Sequence, residues 1–190
     1  MCERCVKMNS QGKDNRFNVL FVCHGNICRS PMAEFILKEL VGKAVAEAEN
    51  GAEKGGKNEG VGGRGHDVPV SVYVESAAVS REEIGNPIYP PAKRCLSGHG
   101  VPFDSGKTAR QVVAADYDRF DLIVCMDEWN VRLLKKIIPA DPEGKIRLMM
   151  SFAGVNRDVA DPWYTGDFEK TYQDLIVGCK ALWEQISEKK

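Results

Sequence analysis

The stretch Val22–Glu34, VCHGNICRSPMAE, decides how the rest of the chain is read. It follows an apolar run, Phe17–Val22 (FNVLFV), and leads into a helical pattern from Pro31. Cys23 therefore stands where a buried strand ends and a turn begins. Arg29 follows six positions later, with His24, Gly25, Asn26, Ile27 and Cys28 between and Ser30 beyond. Pro31 suits the first turn of a helix, because its missing N–H would have no partner there anyway. The N–H groups of the loop and of the helix start then point into one small bowl. Such a concavity binds an oxyanion, and the helix end adds positive potential. Arg29 closes the bowl with a planar fork matched to two phosphate oxygens. The same field favours the thiolate of a cysteine at the base of the bowl, and the thiolate is the nucleophile. Nucleophile, anion cradle and charge clamp thus fall within Cys23–Ser30.

A cysteine that only closes a strand, beside an arginine that only solvates a helix start, would leave Gly25, Asn26, Ser30 and Pro31 without a reason for their positions. Cys-x5-Arg-Ser directly after the first strand resembles the low-molecular-weight protein tyrosine phosphatases. The larger tyrosine phosphatases carry such a loop deep inside a much longer domain.

The chain as a whole agrees with a small enzyme. Its 190 residues fit one domain. A net charge of -1 offers no basic excess for nucleic acid or an anionic membrane. No apolar run approaches the roughly 20 residues that span a bilayer, and the start, MCERCVKMNSQGKDN, lacks the apolar core of a signal peptide. Seven cysteines without regular spacing argue against a secreted disulfide framework. A reducing, cytoplasmic setting and a monomer are expected. Cys2 and Cys5 form a CxxC with no second pair, in what reads as a loose tail over residues 1–15.

Residues 16–190 read as the folded domain. Apolar or alternating runs predict strands at 17–23, 70–75, 120–126 and 145–149. Helical spacing predicts helices at 31–46, 90–98, 128–138 and 168–187, with a short helical piece at Thr108–Gln111. In the first helix, Met32, Ala33, Phe35, Ile36, Leu40 and Val41 form the apolar stripe, with Glu34, Lys38 and Glu39 facing away. Residues 47–67, rich in Gly and mixed charge, bury too little to offset their ordering entropy and read as a disordered insertion ending near a solvated His66. Strands alternating with helices give an α/β fold, a single doubly wound four-stranded parallel sheet with helices on both faces. Ligands in such sheets sit beyond the carboxyl ends of the strands, where Cys23 lies.

A cysteinyl-phosphate mechanism needs a proton for the leaving phenolate and then a base for water, and one carboxyl group can serve both. Asp161 in Asp161-Pro162-Trp163-Tyr164 is the candidate. Pro162 biases Asp161 towards an extended loop, and Trp163 and Tyr164 offer flat faces to a phenyl ring. Read by itself, the fragment also suits a cap for the last helix. It resembles the Asp-Pro-Tyr-Tyr of the family, where the aspartate is the general acid. By that resemblance Cys23 is the nucleophile, Arg29 binds phosphate and Asp161 is acid and base. Asn26 and Ser30 match positions that brace the loop, Ser30 also favouring the thiolate, and His24 sits on the rim. The stretches Glu75–Ala78, Ile84–Pro87, His99–Pro102, Ala109–Gln111 and Cys125–Glu128 with Asn130 also look like the family. They place Glu82 and Asn86 in the substrate cleft with Trp163 and Tyr164. The family's paired loop cysteines form a reversible disulfide, which makes Cys28 the redox partner of Cys23.

Several positions depart from the family pattern. Trp163 replaces the first tyrosine of its pair, and Glu82 stands where an aromatic wall residue often sits. Lys107 lies in a segment where some members carry a histidine that braces the loop. The resemblance implies phosphotyrosine-containing proteins as substrates and phosphate or other oxyanions in the loop. No cofactor or metal is needed for the chemistry, because Arg29 and backbone donors supply the charge stabilisation. Two other activities share the fold. An arsenate reductase needs relay cysteines, and Cys125 has no second cysteine within the next ten residues. A protein arginine phosphatase carries threonine where Ile27 stands, and Ile27 is an apolar wall suited to a phenyl ring. A phosphotyrosine-binding module without turnover would not need both Cys23 and Asp161.

Overall fold

The computed structural model describes residues 16–53 and 71–188. Four strands, β1 (Arg16–Cys23), β2 (Ser71–Ala78), β3 (Leu122–Cys125) and β4 (Ile146–Leu148), form one parallel sheet in the order β2-β1-β3-β4. Six helices accompany them: α1 (Arg29–Glu53), α2 (Pro90–Gly98), α3 (Asp116–Arg119), α4 (Glu128–Leu134), α5 (Pro162–Thr165) and α6 (Phe168–Ser187), with a 3-10 turn at Met149–Ser151. The chain runs from β1 to β2 on one side, then returns to β3 on the other side of β1. The order therefore reverses beside β1, and the carboxyl end of β1, at Cys23, is the switch point.

Pleating sorts the core into two layers. Val19, Phe21 and Cys23 face α1, α2 and α6, joining Met32, Ile36, Leu96, Leu175, Cys179 and Leu182. Leu20 and Val22 face the other way, joining Ile123, Cys125, Leu134 and Ile138. Both faces of β1 are covered, which is why its sequence is a continuous apolar run rather than an alternation. Among the described residues no helix is long and apolar enough to cross a membrane.

The four strands and the four long helical patterns fall where the sequence places them, and the differences have physical causes. Helix α1 begins at Arg29, two residues before Pro31, and runs to Glu53, so residues 47–53 of the expected insertion are helical. The remainder of that insertion, with His66, and the tail with Cys2 and Cys5 lie outside the described residues. Strand β2 continues through Ser76, Ala77 and Ala78, since Ala78 still pairs with Cys23. Thr108–Gln111 is extended rather than helical: Thr108 bridges Pro87 and Gln111 bridges Ala78. Helix α4 closes at Leu134, and tight turns carry the chain to Ile138. Glu34 is 3% exposed instead of facing solvent, for a reason given by the site. The four-residue helices α3 and α5 were too short to show a period.

Two glycines give opposite expectations for one chemical change. A Cβ on Gly178, in α6, would meet Met149 Cε at 2.6 Å and Met149 O at 3.2 Å. A Cβ on Gly42, in α1, would meet nothing within 4 Å. Gly178→Ala should destabilise the fold by about 1–3 kcal/mol through overpacking. Gly42→Ala should stabilise it by ~0.5–1 kcal/mol through helix propensity. Urea unfolding of the two variants beside wild type checks both signs.

Candidate active site

The loop after β1 is held at both ends by backbone bonds. Cys23 O accepts from Val79 N at 3.0 Å, His24 O from Ser80 N at 3.0 Å, and Ile27 O from Tyr89 N at 2.9 Å. Between them Asn26 adopts φ 58°, the left-handed region that asparagine tolerates better than most residues. Its side chain, 1% exposed, satisfies itself three ways. Nδ2 donates to Ser30 Oγ at 2.9 Å and Ser76 Oγ at 2.8 Å, and Oδ1 accepts from Arg110 N at 3.2 Å. The turn aims Asn26 N at Cys23 Sγ, 3.3 Å away, and Ser30 Oγ lies 3.1 Å from the same sulfur. A thiolate at Cys23 thus has an amide and a hydroxyl to receive.

Behind the loop the hydrogen bonds continue into the protein. Ser76 Oγ accepts from Asn26 and donates to Glu34 Oε2 at 2.6 Å. Lys107 Nζ lies 3.2 Å from Glu34 Oε2 and donates to Ser76 O at 3.2 Å. Lys38 Nζ holds the other Glu34 oxygen at 2.5 Å. A buried carboxylate is tolerable with two ammonium groups and a hydroxyl around it, which explains why Glu34 turns inward. Lys107 thus supports the loop from behind, through Glu34 and Ser76. Arg110 pins the adjoining segment by ion pairs to Glu75 at 2.7 Å and Asp116 at 2.9 Å.

Arg29 sits at the first turn of α1, 3% exposed. Its Nη1 donates to Asp127 Oδ2 at 2.6 Å and Val159 O at 3.0 Å, and its Nη2 to Asp161 Oδ2 at 2.5 Å. Burial pulls its pKa down, but the charges of Cys23, Asp161 and Asp127 outweigh it and hold the guanidinium above its ordinary value. Asp127 is itself fixed, because its Oδ1 caps α4 by accepting from Asn130 N at 2.5 Å. Asp161 is extended (φ -81°, ψ 113°) and accepts from Trp163 N at 3.1 Å, capping α5. It caps that short helix, not α6, which Asp167 caps through Lys170 N at 2.8 Å.

One cavity brings together Cys23, His24, Gly25, Ile27, Cys28, Arg29, Asp161, Trp163 and Tyr164, with Glu82 and Glu83 at its edge. Trp163 is 54% and Tyr164 85% exposed, so they form an open mouth. Tyr89 backs Trp163, with ring centroids 5.2 Å apart. His24 Nε2 and Glu82 Oε2 lie 2.9 Å apart across the rim. Burial pushes the Cys28 thiol far above its usual range, with the charges of Cys23 and Asp161 adding to the effect.

Asn86 does not line this cavity, contrary to the sequence expectation. Its Nδ2 donates to Glu83 Oε2 at 2.6 Å and its carbonyl accepts from Ala109 N at 2.9 Å, so it fixes the loop that carries Glu83. Sequence reasoning gave no role to Glu83, Ser76 or Asp127, although the last two fall in stretches that look like the family, and it read Glu34 as facing solvent. Asp127 followed by Asn130 had the spacing of a helix cap, a signal for position but not for the guanidinium it holds. Removing the Lys107 ammonium leaves Glu34 with one partner fewer. Lys107→Met should cost about 1–3 kcal/mol in urea unfolding, the worth of a bond to a buried charge. It should also weaken inhibition by inorganic phosphate, which a loop held rigidly without Lys107 would not show.

Comparison with known proteins places this geometry in a family. The model of the low molecular weight phosphotyrosine protein phosphatases matches residues 18–66 and 58–190. The low molecular weight protein-tyrosine-phosphatase YfkJ of Bacillus subtilis is 34% identical over 175 residues, covering 91% of this chain and 97% of that one. Its crystal structure matches with a TM-score of 0.75 over 95% of this chain and 99% of that one. The human low molecular weight phosphotyrosine protein phosphatase is 35% identical over 173 residues, covering 88% of this chain and 94% of its own. The low molecular weight protein tyrosine phosphatase of Streptococcus pyogenes is 35% identical, with a TM-score of 0.71 over 91% and 95% of the two chains. With that likeness running from the first strand to the last helix, the chain belongs to the low molecular weight phosphotyrosine protein phosphatase family.

Proposed function

We propose that this enzyme hydrolyses phosphotyrosine in protein substrates, with Cys23 as nucleophile, Arg29 as phosphate clamp and Asp161 as acid and then base. The observation that carries the reading is the convergence on one cavity of Cys23, Arg29 and Asp161, the sulfur facing Asn26 N at 3.3 Å and Ser30 Oγ at 3.1 Å. In the free enzyme Arg29 Nη2 is occupied by Asp161 at 2.5 Å. An arriving phosphate dianion competes for that donor and receives the guanidinium fork, which suits two of its oxygens. Asp161 is thereby released from the guanidinium.

The Cys23 thiolate attacks phosphorus as the P–O(aryl) bond breaks, and the Asp161 proton goes to the departing phenolate. This leaves a cysteinyl phosphate and an Asp161 carboxylate. Water gives a proton to Asp161 and its oxygen to phosphorus, the S–P bond breaks, and inorganic phosphate leaves with the thiolate restored. Loop amides and Arg29 stabilise the charge on the equatorial oxygens in both steps. Ile27, Trp163 and Tyr164 supply the flat apolar wall for the phenyl ring. Cys125, a candidate relay for arsenate chemistry, is 0% exposed.

Cys23→Ser should abolish turnover of an aryl phosphate while phosphate still binds, as read by kinetics and calorimetry. Asp161→Ala should lose roughly 10²–10⁴-fold in kcat on phosphotyrosine peptide. The loss should be far smaller on an aryl phosphate whose leaving group departs without protonation. An equal loss on both substrates would remove Asp161 from the proton transfer. Hydrogen peroxide should join Cys23 and Cys28 as a disulfide, two thiols giving up two hydrogens to yield water. Dithiothreitol should restore activity, and mass spectrometry should find Cys23 free of sulfonic acid.

A further inference from the structure

Away from the phosphatase cavity, the structure assigns a zinc-type metal site to Cys95, His99 and Glu169, where α2 meets the first turn of α6. Among the described residues this is the one group of three metal-ligating side chains whose donor atoms all lie within 4.8 Å of one another. Cys95, in α2, and His99, the C-cap residue whose N still donates to Cys95 O at 3.2 Å, stand four residues apart, so the last turn places them on one face. Glu169 arrives from the other element. Zn–S bonds of about 2.3 Å and Zn–N or Zn–O bonds of about 2.0–2.2 Å place tetrahedral donors ~3.3–3.7 Å apart, within reach of these positions. The His99 Nε2 to Glu169 Oε2 separation, 2.8 Å, need open by only about half an ångström.

Both oxygen and nitrogen donors are oriented in advance, as ligands at metal sites are. Gln173 Nε2 donates to Glu169 Oε1 at 2.7 Å and leaves Oε2 directed at His99. The His99 ring stacks on Tyr172, with centroids 3.7 Å apart and an interplanar angle of 8°. The Cys95 thiol donates to Phe168 O at 3.4 Å, and metal binding exchanges that bond for Zn–S. The thiolate, imidazole and carboxylate set is borderline-soft and matches Zn²⁺ better than Mg²⁺ or Ca²⁺. Three protein donors leave the fourth position to water. Binding forms Zn–S, Zn–N and Zn–O bonds, and the Cys95 proton passes to solvent with no change of oxidation state. His99 and Glu169 are 30% and 60% exposed, so the ion has a route in.

The site has a place in the fold as well. Cys95 Sγ lies 3.4 Å from Phe168 O, and Phe168 packs on Tyr89, which backs Trp163. A bound ion thus ties α2 to the start of α6, immediately after the Asp161–Gly166 segment.

Titration of the full-length Cys23→Ser protein with Co²⁺, and separately with Zn²⁺, tests the assignment without interference from the Cys23 thiol. Co²⁺ should give a thiolate charge-transfer band and the visible bands of a tetrahedral site at one equivalent. Zn²⁺ at 100 times its Kd should raise the unfolding midpoint, as binding to the native state alone requires. Adding Cys95→Ser should remove the charge-transfer band. Adding Glu169→Gln, at an exposed position whose bond to Gln173 survives, should weaken binding by tenfold or more with the fold intact. Adding Cys2→Ser with Cys5→Ser should change neither. Absence of the band, its survival in Cys95→Ser, or its loss in the Cys2/Cys5 variant would overturn the assignment.

Discussion

A buried guanidinium held by two carboxylates is the constraint on which the rest of this structure depends. Arg29 has almost no contact with water, and a lone cation there would cost several kcal/mol. Asp127 and Asp161 make it tenable, and each comes from a different part of the chain. Asp127 follows β3 at the start of α4; Asp161 lies in the loop before α5. Arg29 itself opens α1 directly after β1. The pairings therefore fasten three segments at the carboxyl edge of the sheet. The switch point beside β1 leaves room for them there, because β1 and β3 send their chains to opposite faces.

The same arrangement divides the site into a fixed part and an exchangeable part. Asp127 is held from behind by the α4 cap and Val159 O shares the same guanidinium nitrogen, so Nη1 stays anchored. The Asp161 carboxylate is bonded otherwise only to Trp163 N, at the start of a short helix, so Nη2 can change partners. The loop needs no comparable freedom. Its asparagine is tied to two serines and a backbone amide, and those ties run back to Glu34, Lys107 and Lys38. A loop that receives a dianion gains by having its amides set beforehand, since reorganisation at the moment of reaction would waste binding energy.

What the sequence made legible follows from how local each feature is. The loop Cys23–Ser30 is continuous, so its spacing alone implied the cradle. Strands buried on both faces, such as Val19–Val22, read clearly because no polar position interrupts them. Asp161 was legible only beside the Cys23 loop and the family's Asp-Pro-Tyr-Tyr, since read by itself its fragment also suits a helix cap. Glu34 was misread because the helical stripe counts apolar residues only. Its partners, Ser76 and Lys107, lie 42 and 73 positions away in the chain. Asn86 was misplaced for a similar reason: its position beside the cleft is real, but its amide is spent on Glu83. Thr108–Gln111 carries helix-forming residues, yet Ala78 offers a strand edge, and the tertiary bridge overrides the local preference.

The rim adds a last consequence for substrate choice. Glu82 and Glu83 place negative charge beside a cavity built to attract an anion, which at first sight opposes the phosphate. The two effects act at different depths. The dianion travels to the base of the bowl, where buried donors are screened little by salt. The Glu82 carboxylate is 72% exposed, so solvent weakens its repulsion of the phosphate. His24 Nε2 lies 2.9 Å from Glu82 Oε2 and gives that carboxylate a hydrogen-bond partner on the rim. In the proposed substrate complex, the residues flanking a phosphotyrosine would lie nearer the rim than the phosphate does. A basic residue beside the phosphotyrosine would, in the proposed reading, gain from Glu82 and an acidic one would lose.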